Sequence, residues 1–147
     1  MTDYASTSQQ FIAQGLITIV DGAPVFSGRG FSAIERTPGG AADGDFLLTF
    51  DDGLPGAVGV DPTVSRVILT LRGGSGSPPV TTITQKSATW VTSGTTGVGC
   101  KQLRVITSVG GTGTDPTGAD AGGLELIVMK QATPSNYQVQ ISGPLYP

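Results

Sequence analysis

The clearest alternation of apolar and polar positions lies between residues 101 and 130, KQLRVITSVGGTGTDPTGADAGGLELIVMK. Leu103, Val105 and Thr107 alternate with Arg104, Ile106 and Ser108. After a Gly/Thr/Asp loop, Leu124, Leu126 and Val128 alternate with Glu125, Ile127 and Met129. A period of two is the signature of a strand, so this stretch predicts a strand, a long polar loop and a second strand, read together as a hairpin. One face of it, Leu103, Val105, Leu124, Leu126 and Val128, must lie on a core, because successive side chains of a strand point to opposite faces. The other face carries Ile106, Ile127 and Met129 beside Arg104 and Glu125. An antiparallel sheet with one solvated face would be mainly polar there. Something is therefore expected to cover this second face, either another part of the chain or a second copy of it.

The same alternation recurs along the chain. LITIV and APVF flank Asp21-Gly22, the pair that a two-residue type I′ turn requires, and Pro24, which lacks a ladder donor, assigns the second arm to a sheet edge. Strands are predicted at 30–37, at 45–50 with Phe46, Leu48 and Phe50 facing the core, and at 66–71 with Val67, Leu69 and Leu71 opposite Ile68 and Thr70. Thr-rich strands follow at 80–84 and 88–92, and a last one at 137–141. The one helical candidate is a short turn over Ser8–Gln14. Eight or nine strands with turn signals about every ten residues predict an all-β antiparallel sandwich with little or no helix. Residues 1–14 read as a polar N-terminal arm and 15–147 as one domain.

Composition sharpens the picture. The 147 residues contain 23 Gly and 10 Pro, yet apolar blocks recur between them, which fits turn-rich β structure better than disorder. Only 13% of residues are charged and the mean hydropathy is slightly positive, less charge than an isolated soluble domain normally shows. Much of the surface is therefore expected to be hidden in an assembly. The net charge of −3 and the lack of any Lys/Arg run argue against nucleic-acid binding. No stretch approaches the ~20 apolar residues of a membrane span, and the first residues have no secretory pattern.

Catalytic chemistry has little to work with. There is no histidine, which removes Ser-His-Asp and Cys-His arrangements and the commonest metal ligand. Cys100 reads as an inert strand residue. The acidic group Asp43, Asp45, Asp51 and Asp52 matches no EF-hand spacing and reads as turn chemistry, while Asp115 and Asp120 are either loop residues facing solvent or calcium ligands. No carboxylate pair stands out as a glycosidase couple. Gly28-Arg29-Gly30-Phe31-Ser32-Ala33 precedes a strand pattern and is no dinucleotide fingerprint. Trp90 is expected in the core or at a contact, with a sugar-stacking platform as the alternative. Arg104 and Glu125 share the second face and form a cross-strand pair if their strands are neighbours. No metal site, cofactor or enzymatic activity is expected.

The basic-apolar strand followed by a glycine-rich loop with spaced Asp115 and Asp120, together with GGAADGDFLLTFDDGL at 39–54, resembles the small all-β virion proteins of tailed phages, the capsid-decoration and fibre-tip class. The resemblance covers about the last two thirds of the chain. It implies a jelly-roll or tumour-necrosis-factor-like sandwich that assembles as a trimer, and it carries over no catalytic residue. On that reading Ile68, Arg104, Ile106, Glu125, Ile127 and Met129 are the contact between identical subunits. The arm, with Tyr4, Phe11 and Ile12, holds the major capsid protein on the virion surface, and loops 73–79 and 110–123 point outward. A host-binding fibre tip and a carbohydrate-binding module with Trp90 and Tyr137 as platforms are the alternatives.

Overall fold

The computed structural model describes residues 10–37, 43–51, 59–92 and 99–130. They form nine strands and no helix: β1 Gln10–Val20, β2 Ala23–Arg29, β3 Phe31–Arg36, β4 Asp45–Phe50, β5 Ser65–Leu71, β6 Gln85–Thr92, β7 Cys100–Val109, β8 Thr112–Gly113 and β9 Leu124–Lys130. Two antiparallel sheets result. The first has the order β2-β1-β9-β5, the second β3-β4-β7-β6 with the short β8 on β7. Their inner faces share one core, the sandwich-like arrangement that the alternation predicts.

The core is built by the predicted inward rows. Phe46, Leu48, Leu103, Val105, Leu124, Leu126 and Val128 are all fully buried, joined by Ile17 and Ala13 of β1. Val67, Leu69, Leu71, Ala88 and Trp90 pack against them from the edge strands. Yet β7 and β9 are not a hairpin. β7 pairs with β4 and β6, whereas β9 pairs with β1 and β5, so the two strands face each other across the core. The true hairpin partner of β7 is β8, through a turn at Gly110-Gly111 with φ of 55° and 87°. Residues 114–123 then carry the chain to the other sheet. Alternation shows which side of a strand meets the core, and it is blind to the sheet in which that strand pairs.

The β1–β2 turn has positive φ at Asp21 (49°) and Gly22 (78°), and β2 with Pro24 is the edge strand, both as expected. From β2 the chain passes to the second sheet through Gly30 alone. Its φ is +98°, and a Cβ there would sit 2.5 Å from the Cα of Ala13, so only glycine fits this corner. Phe26, Phe31 and Phe50 close this side, with ring centroids 5.1 and 4.6 Å apart in turn.

Two further expectations change and one is not reached by the described residues. Gln10–Gln14 belong to β1 and form neither a helical turn nor an arm, because Phe11 and Ala13 pair with Met129 and Val128 around a bulge at Ile12. Residues 80–84 are not a strand. After Pro78 and Pro79, Thr82 and Thr84 donate their N–H groups to the carbonyls of Asp120 and Ser108, loop bonds that hold the segment without a ladder. The strand predicted at 137–141 lies outside the described residues.

The register divides the sandwich into two ends. Gln10, Lys130, Ser65, Asp51 and Cys100 lie at one end, where β1 starts and β9 finishes. The 21–22 turn, Asp43-Gly44 and loops 72–84 and 110–123 lie at the other. Replacing Leu126 by Ala is expected to cost about 2–5 kcal/mol in urea denaturation, from lost transfer energy and the cavity left behind. Gly30→Ala is expected to cost at least ~1–3 kcal/mol through strain at a positive φ. A loss near zero for both would show that the two sheets do not share this core.

Candidate functional site: the outer face of the first sheet

The outward rows of the first sheet follow from the register. Across β2, β1, β9 and β5, one row reads Arg29, Gln14, Ile127, Ile68, and the next Ser27, Leu16, Glu125, Thr70. Met129 lies between Phe11 and Arg66 in a third row, and Val25 pairs with Thr18 beyond the second. The middle of this face is apolar: Leu16, Ile68, Ile127 and Met129, extended by Phe11. Ile68 is 41% exposed and Phe11 54%, while Val25 is also open to solvent. Burying this strip would remove several side chains from water at about 25 cal/mol per Å² of apolar surface.

Arg72 and Glu125 sit inside the strip. The Arg72 Nε donates to Glu125 Oε1 at 2.8 Å, with Nη2 at 2.7 Å from the same oxygen. With Gln14, Leu16, Ser27 and Ile127 they line a shallow cavity of about 210 Å³. Both side chains are about half exposed, so in the isolated chain the pair contributes little to stability. Its value grows where a partner excludes water.

The outer face of the second sheet is of another kind. Its rows read Ala33, Thr49, Gln102, Val91, then Glu35, Leu47, Arg104, Thr89, and on β4, β7 and β6 Asp45, Ile106, Ser87. Apolar, hydroxyl or amide, and charged side chains are mixed on it, and Gln102 donates to Thr49 Oγ1 at 3.3 Å. Leu47 points outward yet is 9% exposed. Arg104 donates to both oxygens of Asp45, at 2.9 and 2.6 Å. The predicted Arg104–Glu125 pair therefore does not form: the two residues are in different sheets, and each is satisfied by another partner. Ile68, Glu125, Ile127 and Met129 stay together on the outer face of the first sheet, while Arg104 and Ile106 are on that of the second.

The remaining candidates find structural roles. Asp115 is not a free loop residue: Arg36 Nη1 and Nη2 donate to its two oxygens at 3.0 and 2.8 Å, and the Gly44 N–H to Oδ1 at 2.7 Å. Arg36 also donates to the Gly22 carbonyl at 2.9 Å, so one guanidinium ties together the 21–22 turn, β3, Gly44 and the loop after β8. Asp120 accepts from the Thr82 hydroxyl. Among the described residues no three His, Cys, Asp or Glu side chains come together as a metal site. Asp51 donates its N–H to the Gly30 carbonyl; Asp52 and Tyr4 lie outside the described residues.

Cys100 is buried, and burial, followed by the charge of Asp61, pushes its thiol pKa up and away from the reactive thiolate. Trp90 is half-buried with its ring stacked on Phe50 at 6.1 Å, which is no sugar platform. Phe11 points outward, but Ile12 is 8% exposed within the core and is not available to hold a partner. Sequence reading places neither Leu16 nor Arg72 at a contact. The alternation of Leu16 with Ile17 carried the signal for the first, whereas the contact of Arg72 with Glu125 spans 53 positions and has no local trace.

Comparison with protein-family models, curated proteins and solved structures found no match.

Acid sensitivity follows from two carboxylates. Burial pushes the Asp115 carboxyl up, but the hydrogen bonds from Arg36 and Gly44 and the guanidinium charge outweigh it, and the pKa lies below the ordinary value. The hydrogen bond from Arg104 holds Asp45 low, against burial and with help from the Thr37 hydroxyl. Groups with a folded pKa below the unfolded value of about 3.9 contribute stability in full above it and lose it as pH falls through the folded value. Asp115→Asn is expected to lower stability at pH 7 by about 1–3 kcal/mol and to flatten the loss below pH ~4. Denaturant melts from pH 7 to pH 2.5 check this; an unchanged acid limb in the variant would exclude Asp115 as its source.

Proposed function

We propose that this chain is a non-enzymatic structural protein that works as a homotrimer, a decoration or cement protein on the outer surface of a tailed-phage capsid. The observation that supports it best is the apolar strip on the outer face of the first sheet, where Leu16, Ile68, Ile127 and Met129 adjoin and Ile68 is 41% exposed. Large apolar patches on a soluble chain mark contact surfaces. In this reading identical subunits meet through Leu16, Ile68, Ile127 and Met129, with Glu125 among them, and Arg104 and Ile106 take no part.

A jelly-roll topology agrees with the pairing. The outermost pair β1·β9 encloses the inner pair β4·β7, β5 adds beside β9 and β6 beside β7, as when one long hairpin is rolled into two sheets. The division of the two ends fits the virion reading too. Gln10, where the described chain begins, is at the end opposite the loops 72–84 and 110–123, so an attachment segment before Gln10 and outward loops do not compete for one surface. Attachment to the major capsid protein is then assigned to residues 1–9, with Tyr4, and to the outward Phe11.

A short fibre or receptor-binding tip is the second reading. The interlocking of its two loops favours it, since the Ser75 N–H donates to the Gly118 carbonyl and the Thr82 N–H to the Asp120 carbonyl, which makes a preformed recognition surface. The carbohydrate-module reading loses its main support, because Trp90 is turned into the core edge.

Deleting residues 1–9, and leaving β1 whole, is expected to abolish binding to undecorated capsids while the trimer persists. Co-sedimentation with capsids and native mass spectrometry read the two properties separately. Unaltered attachment would sink the assignment, and a copy number on purified particles far below that of the shell protein would move the assignment to the fibre tip.

A further inference from the structure

The apolar strip is framed by charge of one sign. Arg29 on β2 and Arg66 on β5 stand at opposite edges of the face, about 14 Å apart across the sheet at ~4.8 Å per strand spacing, and neither has an ion-pair partner among the described residues. Arg72 is the third cation and Glu125 the one carboxylate. Three arginines against one glutamate leave this face with an excess of two positive charges. The whole chain has a net charge of −3, so the rest of the chain carries −5.

We infer that the outer face of the first sheet meets a different, acidic surface of the next copy, so that subunits join head to side and close a ring. This rests on the self-assembly reading above and adds the geometry of the contact. Placing two identical copies of the face against each other would oppose arginines with arginines, and like charges across an interface cost several kcal/mol. A contact between unlike surfaces turns the same charges into attraction and closes when the rotation is right.

In a ring each copy is held through this face and through a second surface, so two contacts secure every subunit.

The exposed carboxylates best placed to supply that surface flank the edge formed by β2 and β3. Glu35 is exposed on β3, and Asp43, with its side chain 67% exposed, is 3.8 Å from Arg36. The turn carrying Asp21 is held by the same Arg36 through the Gly22 carbonyl, so Asp21 and Asp43 both lie near Arg36, while Glu35 is on the outer face of β3 in the row of Leu47 and Arg104.

The test is native mass spectrometry and sedimentation of the full chain at 50 mM and 500 mM salt. A closed trimer is expected whose dissociation constant rises at least tenfold between the two. Arg29→Glu with Arg66→Glu turns the face from +2 to −2. Association is expected to weaken at least tenfold, and Glu35→Lys with Asp43→Lys in the same chain is expected to restore it. Circular dichroism and melting of each variant establish that it is folded. For a contact between two identical faces the arginine reversal would leave association unchanged, because +2 against +2 becomes −2 against −2; that result, or a dimer, overturns the inference and leaves self-assembly standing. A monomer that is nonetheless abundant on particles overturns it too, while sparing the decoration reading. Trimers that persist with Ile68→Asp would place the contact on another face and overturn the inference as well.

Discussion

The packing of β7 against β9 across the core is the interaction on which the rest of this structure depends. Leu103 and Val105 on one strand, and Leu124, Leu126 and Val128 on the other, are all fully buried, and each strand is central in its own sheet. Because both are flanked by neighbours on either side, every other strand is positioned by pairing with one of them or with a strand that does. Removing water from these two rows is the main favourable contribution to folding. The edge strands β5 and β6 add half-buried residues to a core that the central strands already define.

Each central strand also has an outer row, and the two rows end differently. On β7, Arg104 is drawn to Asp45, and Leu47 beside it is 9% exposed. On β9 the outer row of Glu125, Ile127 and Met129 is continued by Leu16 and Ile68 on its neighbours. That is where the assembly reading rests.

One end of the sandwich is held by charge-assisted hydrogen bonds. Arg36 and Asp115 link pieces of chain that are 79 positions apart, and Gly44 can bring its N–H to Asp115 because it has no Cβ, which would press within 2.2 Å of the Thr107 carbonyl oxygen. Such bonds are stronger than neutral ones and hold loops in one arrangement. The loops 72–84 and 110–123 at this end are thus a set surface, opposite the end where β1 begins.

Local pattern determined a good deal by itself: an all-β chain, the inward row of nearly every described strand, the Asp21-Gly22 turn and the edge position of Pro24. These are legible because the period of two and the chemistry of a tight turn act over two to five neighbouring residues. The same pattern made Ile106 and Ile127 look like one surface, and Arg104 and Glu125 like a pair. Only the tertiary structure decided that they belong to different sheets, and that Arg72 and Asp45 are their true neighbours. The physical reason is that alternation records whether a side chain faces the shared core or away from it, while strand pairing is set by contacts between segments tens of residues apart, whose backbone hydrogen bonds are the same whatever the side chains.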